Sequence, residues 1–303
     1  MTRRIVLVAV VPVLALLAGC GGSSGGSSSG GAPAASGSGG AGHGASHAER
    51  YVALGDSYTS APLTGRDVGP HGCEQSADNY PHLVARRLGL DLHDVSCAGA
   101  ETTSLTGPQR MGTFAVPPQL DAVTPSTRIV TLSVGANDQA AFSELIELCG
   151  RLSQSDPHGT PCTDAVHGGT KMLAGYRAAT TSRLVGVVRT IRRRAPHARV
   201  LVVGYPQVLP ASGDCPELPI ATGDIPFARR ANEAFNDAMR AAVRRTGVEY
   251  VDTWRITRGH DICGAKPWIA GVHPQGSAAP FHPYAVEQSA VARVVVRVLR
   301  HQA

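Results

Sequence analysis

Short runs of Val, Ile and Leu alternate along this chain with longer segments of helical periodicity. Five runs, 51–54, 92–96, 128–133, 199–203 and 248–251, are apolar with little alternation, as expected of parallel strands covered on both faces. Helical patterning covers 80–88, 139–148, 170–194, 227–246 and 284–301. Pro226 and Pro283 stand just ahead of two of these segments, where a missing N–H is tolerated. Gly89 and Gly247 close two others as carboxyl caps. Strands alternating with helices predict an α/β fold, a parallel sheet with helices on both faces. Two long irregular stretches, around 149–169 and 207–225, contain cysteines, and disulfides would keep them ordered. There is no internal repeat.

The amino terminus stands outside this pattern. Arg3 and Arg4 precede an apolar stretch, 5–17, interrupted only by Pro12, and Leu17-Ala18-Gly19-Cys20 follows. The stretch is short for a membrane-crossing helix and has the layout of an export signal. Small residues directly before a cysteine resemble the bacterial lipobox, which implies cleavage before Cys20 and a diacylglycerol thioether on its sulfur. The other reading is a plain signal peptide cut elsewhere, with Cys20 incidental. Thr2-Arg3-Arg4 is also a weak match to a twin-arginine signal. Residues 21–48 are almost entirely Gly, Ser and Ala, with Pro33, His43 and His47, which predicts a flexible tether. Its 28 residues would span roughly 30 Å root-mean-square. Two histidines in such a tract give no case for a metal site. The expected organisation is a lipoprotein signal (1–19), a lipidated cysteine with a Gly/Ser linker (20–48), and one large domain (49–303). Such a protein would be exported and held by lipid on the outer face of a bacterial membrane, or secreted if the anchor is not used.

Loss of Arg3 and Arg4 with the signal lowers the formal charge from +5 to +3, which gives no case for nucleic acid as a partner. The Arg189, Arg192, Arg193, Arg194 cluster reads as the solvated carboxyl end of a helix. Setting Cys20 aside leaves Cys73, Cys97, Cys149, Cys162, Cys215 and Cys263, an even number in an exported chain. Six cysteines allow 15 pairings, and spacing does not choose among them. Without a CxxC pair no structural zinc site is expected.

The candidate chemistry lies at the carboxyl ends of the expected strands, where open α/β sheets place their ligands. Gly55-Asp56-Ser57-Tyr58 follows the first run, Cys97-Ala98-Gly99-Ala100 the second, and Gly135-Ala136-Asn137-Asp138 the third; Phe281-His282-Pro283-Tyr284 precedes the last helix. Each segment alone could be an ordinary turn. Together they supply what acyl transfer needs. A serine hydroxyl requires a base, which His282 can be before it protonates the leaving group. The tetrahedral intermediate requires donors, which the amides of Ser57 and Gly99 and the side chain of Asn137 can provide. Asp56 reads as a brace of the turn. His273-Pro274 duplicates the His-Pro pair, but Pro283 can start the final helix, which favours His282.

The order Gly-Asp-Ser, Gly, Gly-x-Asn-Asp and His-Pro resembles the block pattern of the SGNH (GDSL) hydrolase superfamily over nearly all of residues 50–303. The six cysteines, and residues 268–271 from Trp268 to Gly271, are most similar to its secreted bacterial esterase and lipase branch. The resemblance implies a flavodoxin-like three-layer α/β/α fold with a central parallel sheet of about five strands. It also implies sequential disulfides, 73–97, 149–162 and 215–263. Ser57 would be the nucleophile, Gly99 and Asn137 would complete the oxyanion hole, and His282 would be the base. Where most of the superfamily has an aspartate, three residues before the histidine, this chain has Ala279. That branch can use a main-chain carbonyl there, so the expectation is a Ser57–His282 dyad with the Ala279 carbonyl taking the Nδ1 proton. The alternative is that Asp252 or Asp261 serves as the acid.

The function so implied is a serine ester hydrolase, a lipase or carboxylesterase, expected to be monomeric and to need neither metal nor organic cofactor. Its partners would be an acyl ester or lipid substrate and the membrane. Deacetylation of a carbohydrate or cell-wall polymer is the second reading. A degenerate lipoprotein that binds lipid or ester without turnover is the third.

Overall fold

A computed structural model describes residues 48–301. The proposed signal, Cys20 and linker up to residue 47 lie outside the described residues. Strand β1 (Arg50–Gly55) runs into a one-turn helix α1 (Ser57–Ser60), followed by α2 (Tyr80–Leu88) and β2 (Asp91–Asp94). A hairpin of β3 (Gln109–Met111) and β4 (Phe114–Val116), not foreseen from the sequence, precedes β5 (Thr127–Ser133). Then come α3 (Ala141–Ser153), α4 (Pro161–Ala165), the long α5 (Thr170–Arg194), β6 (Arg199–Val203) and α6 (Ile225–Thr246). The chain closes with β7 (Glu249–Val251), α7 (Thr253–Ile256) and α8 (Ala285–Arg300).

The main sheet has five parallel strands in the order β2-β1-β5-β6-β7. Strand alternation sorts their side chains into two layers. Val52, Leu54, Val130, Leu132, Val200 and Val202 pack against α3, α5 and α6, while Tyr51, Ala53, Ile129, Leu201 and Val203 pack against α2 and α8. The three central strands are therefore buried at nearly every position. Edge strand β2 is not: Asp91 and His93 are exposed, and the strand ends at Asp94 rather than continuing to residue 96. Asp94 Oδ1 accepts from Ser96 N (2.9 Å) and Ser96 Oγ (2.7 Å), an Asx turn that bends the chain away.

Gly89 and Gly247 close α2 and α6 in the left-handed conformation, donating to Ala85 O and Val243 O. Helix α3 begins two residues later than its apolar pattern and extends to Ser153. Gln139 and Ala140 both have positive φ (59° and 54°), so no helix can run through them. The arginines at the end of α5 are exposed, and Arg194 reaches Asp121 at 3.1 Å.

Three disulfides join neighbours along the chain, Cys73–Cys97, Cys149–Cys162 and Cys215–Cys263. They close loops of 24, 13 and 48 residues. Loops of that length correspond to about 3–4 kcal/mol each in the chain-entropy account. The second staples α3 to α4, and the third ties the irregular segment before α6 to the segment after α7. Among the described residues no helix is long and apolar enough to cross a membrane.

Gly55, at the end of β1, shows why glycine precedes the candidate nucleophile. A Cβ there would overlap Thr59 Oγ1 and stand 2.7 Å from the backbone oxygen of Ser133. Gly55→Ala is expected to cost about 1–3 kcal/mol through this crowding, read as a lower urea midpoint.

Candidate active site

Gln119 grips the Gly55 peptide at both ends: its Oε1 accepts from Gly55 N (2.8 Å) and its Nε2 donates to Gly55 O (2.9 Å). Asp56 then caps α1, accepting from Tyr58 N at 3.0 Å. Ser57 is the first residue of the helix and is 7% exposed.

His282 arrives from the other end of the chain. The segment before it is pinned to residues 268–270: Ala270 N donates to His282 O (2.9 Å), Phe281 N to Ala270 O (3.1 Å) and Tyr284 N to Trp268 O (2.8 Å). Its Nε2 lies 2.8 Å from Ser57 Oγ, and its Nδ1 lies 2.7 Å from the carbonyl of Pro280. A carbonyl can only accept, so Nδ1 carries the proton and Nε2 is left to accept from the serine hydroxyl.

The Nδ1 partner is therefore Pro280, not Ala279. The Ala279 carbonyl is already taken, by the backbone N–H of His282 at 3.1 Å. Residues 279–282 form a β-turn with proline second and a positive φ (63°) at Phe281, the signature of type II. Such a turn closes on the first carbonyl and frees the second. Phe281 is held in its strained conformation by Ala270 on its amide and by Tyr58, whose hydroxyl donates to Phe281 O at 2.8 Å. The Tyr58 ring also lies 5.5 Å from the imidazole, tilted 33°.

Among the described residues no carboxylate takes the place of the Pro280 carbonyl. Asp252 caps α7 through Arg255 N (3.2 Å) and pairs with Arg240 at 3.5 Å, and Asp261 accepts from Cys263 N at 3.0 Å. Asp56 is committed elsewhere, with one oxygen on Tyr58 N and the other accepting from the Tyr205 hydroxyl. Burial pushes the Asp56 carboxyl up to about 7 against its hydrogen bonds to Tyr205 and Tyr58. Burial lowers the pKa of His282, opposed by the Pro280 carbonyl. His273 is exposed, with its amide on Glu217 at 2.8 Å, and is not part of this cluster.

The oxyanion candidates sit on two loops that are stitched together. Asn137 Nδ2 donates to Ala100 O at 3.1 Å. Asp138 accepts from Thr102 N (2.7 Å), Thr102 Oγ1 (2.8 Å), Thr180 Oγ1 (3.0 Å) and Arg183 Nη1 (3.2 Å). Gly99 has φ 72°, and a Cβ on it would meet nothing nearer than Gln109 Nε2 at 3.8 Å, which leaves space beside its α-carbon. Among the described residues the amides of Ser57 and Gly99 have no hydrogen-bond acceptor. A hydroxyl on a neutral imidazole, at a sheet edge that also carries the free amides of Ser57 and Gly99, has the parts that attack on a carbonyl group requires.

Sequence reasoning missed the residues that hold this geometry: Tyr58, Gln119, Tyr205, Pro280 and Gln288. Gln288 Nε2 donates to Tyr58 O (3.1 Å) while its Oε1 accepts from Tyr80 N (2.7 Å), tying α8 to α1 and α2. Beside it Glu287 is fully buried, with Gln288 Nε2 as its hydrogen-bond partner at 2.9 Å. Burial raises its carboxyl to about 8. A folded pKa above the unfolded value gives stability that is complete below about pH 4.5 and lost as pH rises through about 8. Glu287→Gln should remove part of that loss, on the order of a few kcal/mol, when urea unfolding at pH 5 and pH 9 is compared.

A model of the GDSL-like lipase/acylhydrolase family matches residues 53–283. Lipase 2 of Streptomyces coelicolor is 40% identical over 257 residues, which cover 82% of this chain and 85% of that protein. A lipase of Streptomyces rimosus is 29% identical over 248 residues, covering 80% of this chain and 83% of that protein. The crystal structure of phospholipase A1 from Streptomyces albidoflavus NA297 superposes with a TM-score of 0.66 at 27% identity, covering 84% of this chain and 100% of that one.

Proposed function

This chain belongs to the GDSL-like lipase/acylhydrolase family and is a serine ester hydrolase, and on that premise we propose that Ser57 and His282 carry its chemistry as a dyad. As Ser57 Oγ attacks the ester carbonyl carbon, its proton passes to His282 Nε2. The carbonyl oxygen becomes an oxyanion beside the amides of Ser57 and Gly99 and the side chain of Asn137. Collapse breaks the bond to the alkoxy oxygen, which leaves with the proton from Nε2, and an acyl ester remains on Ser57. Water then repeats the sequence, giving up its proton to Nε2, and releases the carboxylic acid. The Pro280 carbonyl fixes the tautomer throughout and supports the imidazolium with a dipole, where a triad would use a full charge.

The observation that carries this reading is the 2.8 Å contact of Nε2 with Ser57 Oγ while Nδ1 is committed to Pro280. Acyl esters and lipids are the substrate class, supported by the lipase and phospholipase A1 relatives. The test is hydrolysis of p-nitrophenyl esters by the full chain and its Ser57→Ala variant, with fluorophosphonate labelling. Activity and label should both be lost in the variant; an active variant would refute the assignment. Because burial lowers the pKa of His282, the base form persists into mild acid. The acid limb of kcat/KM should therefore fall below pH 6.5.

Three disulfides suit an exported protein. Beyond export, the reading includes a signal at 1–19, a lipid on Cys20, a tether to residue 48 and a monomeric catalytic domain. Its support is the sequence Leu17-Ala18-Gly19-Cys20 and the Gly/Ser composition that follows.

A further inference from the structure

The long helices of this fold end on one side of it. Because the sheet is parallel, α2, α5 and α6 each lead into the amino end of a strand, opposite the edge that carries the dyad. All three finish in arginine: Arg87 on α2, Arg192 to Arg194 on α5, Arg244 and Arg245 on α6. Helix α8 finishes beside them with Arg297 and Arg300. Its place is fixed by Arg199, which opens β6 and donates to Val298 O (3.1 Å) and Leu299 O (2.9 Å). Arg192 Nη1 donates to Thr246 O at 2.6 Å, joining the ends of α5 and α6.

Apart from Arg199 these arginines are exposed. Among the described residues only Arg194, on Asp121 at 3.1 Å, and Arg199, on Glu249 at 2.9 Å, have a carboxylate partner. The connections at the carboxyl edge mix the two signs instead, exposed Asp67, Glu74 and Asp214 with Arg66 and Arg258.

A helix dipole favours cations in the last turn and loses its reach beyond it. It does not explain α8, where Arg293, Arg297 and Arg300 follow one another at spacings of four and three. Like charges so spaced oppose each other and weaken a helix. With Arg87 and His301 they wall a depression of about 510 Å³, in which Val296 is the apolar member. Guanidinium groups around such a space suit phosphate oxygens.

The route of the chain favours one source of phosphate. The described residues begin at Ala48, directly ahead of β1, so the chain enters the fold at this same edge. The segment before it carries the apolar stretch 5–17. The exposed large hydrophobics among the described residues, Leu63, Val68, Phe114, Met172 and Val286, stand elsewhere, in connections past the strands or in the opening turns of α5 and α8. Contact at the amino edge would therefore be electrostatic, without insertion.

We infer that the amino edge is a docking face for an anionic phospholipid surface, with its arginines among the headgroup phosphates and the dyad turned away from the bilayer. The choice of a bilayer rests on the membrane reading of the segment before residue 48. Each arginine within a Debye length of the surface, about 10 Å at 0.1 M salt, strengthens binding about fivefold.

The test sediments the full chain with vesicles of phosphatidylcholine alone and of phosphatidylcholine with one third phosphatidylglycerol. Partition onto phosphatidylcholine alone reports the apolar stretch, and the ratio of the two partition coefficients reports the basic face. In the parent this ratio should be large and fall steeply with added salt. Arg244→Gln, Arg245→Gln, Arg297→Gln and Arg300→Gln together should lower it tenfold or more. A control with Arg66→Gln, Arg110→Gln, Arg151→Gln and Arg258→Gln removes the same charge from the rest of the surface and should change it little. A parent ratio near one overturns the docking face without any variant, and so does an equal fall in both variants. An unchanged ratio in the edge variant, alongside lost binding to polyphosphate, points to a soluble polyanion and overturns it too. No arm depends on hydrolysis, so the dyad stands or falls separately.

Discussion

Alanine at Ser57 or at His282 is expected to lower kcat for p-nitrophenyl octanoate by roughly 10⁴- to 10⁶-fold, and the double variant should be no slower than either single one. The reason is that the two groups act in one proton transfer. Without the imidazole, 2.8 Å away, the hydroxyl has no acceptor for its proton; without the hydroxyl, the imidazole has nothing to activate. If each worked alone, the two losses would multiply. Single-turnover kinetics on all three variants decide between these outcomes, and multiplicative losses would sink the dyad. Folding is a separate matter that thermal unfolding checks. Among the described residues the only side-chain hydrogen bond of Ser57 is the one to His282, so Ser57→Ala should melt close to the parent.

That two of the candidate segments could be located in the sequence follows from where they lie. Residues 51–57 are an apolar strand running directly into Gly-Asp-Ser, and residues 128–138 run from an apolar strand into Gly-x-Asn-Asp. Placing each segment needed only a local pattern and the rule that sheets carry ligands at their carboxyl edge, whereas the roles came from the segments taken together and from the family resemblance. The Nδ1 partner needed one more step. Pro280 sits where a type II turn takes its second residue, and such a turn engages the carbonyl of Ala279 with the amide of His282. Counting back three residues from the histidine misses this, whereas the proline itself was a usable signal.

Other features had no local signal. Tyr205 lies 149 residues from the Asp56 carboxyl it holds. Gln119 reads as any polar residue in a loop, yet it pairs with the peptide of Gly55 across 64 residues. The late start of α3 depends on two non-glycine residues in left-handed geometry, which propensity does not flag. An apolar cavity among α3, α4, α5 and α6, lined by Leu145, Leu173 and Phe227 among others, arises only when four helices pack, and the faces that line it look like ordinary core positions in the sequence.

Asn137→Ala is expected to lower kcat by about 10²- to 10³-fold with little change in KM, the effect of losing one oxyanion donor. The side chain has a second job that could imitate this result, because its Nδ2 donates to Ala100 O at 3.1 Å and helps join the two loops. The magnitudes separate the two roles. A single neutral hydrogen bond contributes about 1 kcal/mol to stability, and the same loops are also joined by Asp138 through Thr102 N and Thr102 Oγ1. The loops should therefore keep their places when Asn137 is cut back. A donor that matters only when charge develops on the carbonyl oxygen lowers kcat and leaves ground-state binding alone. A brace would instead raise KM and lower the melting temperature together. Asn137→Asp sharpens the distinction, since a carboxylate can neither donate to the oxyanion nor sit beside it without repulsion. It should be slower than Asn137→Ala in steady-state assays near pH 8, and equal or higher activity there would remove Asn137 from the oxyanion hole.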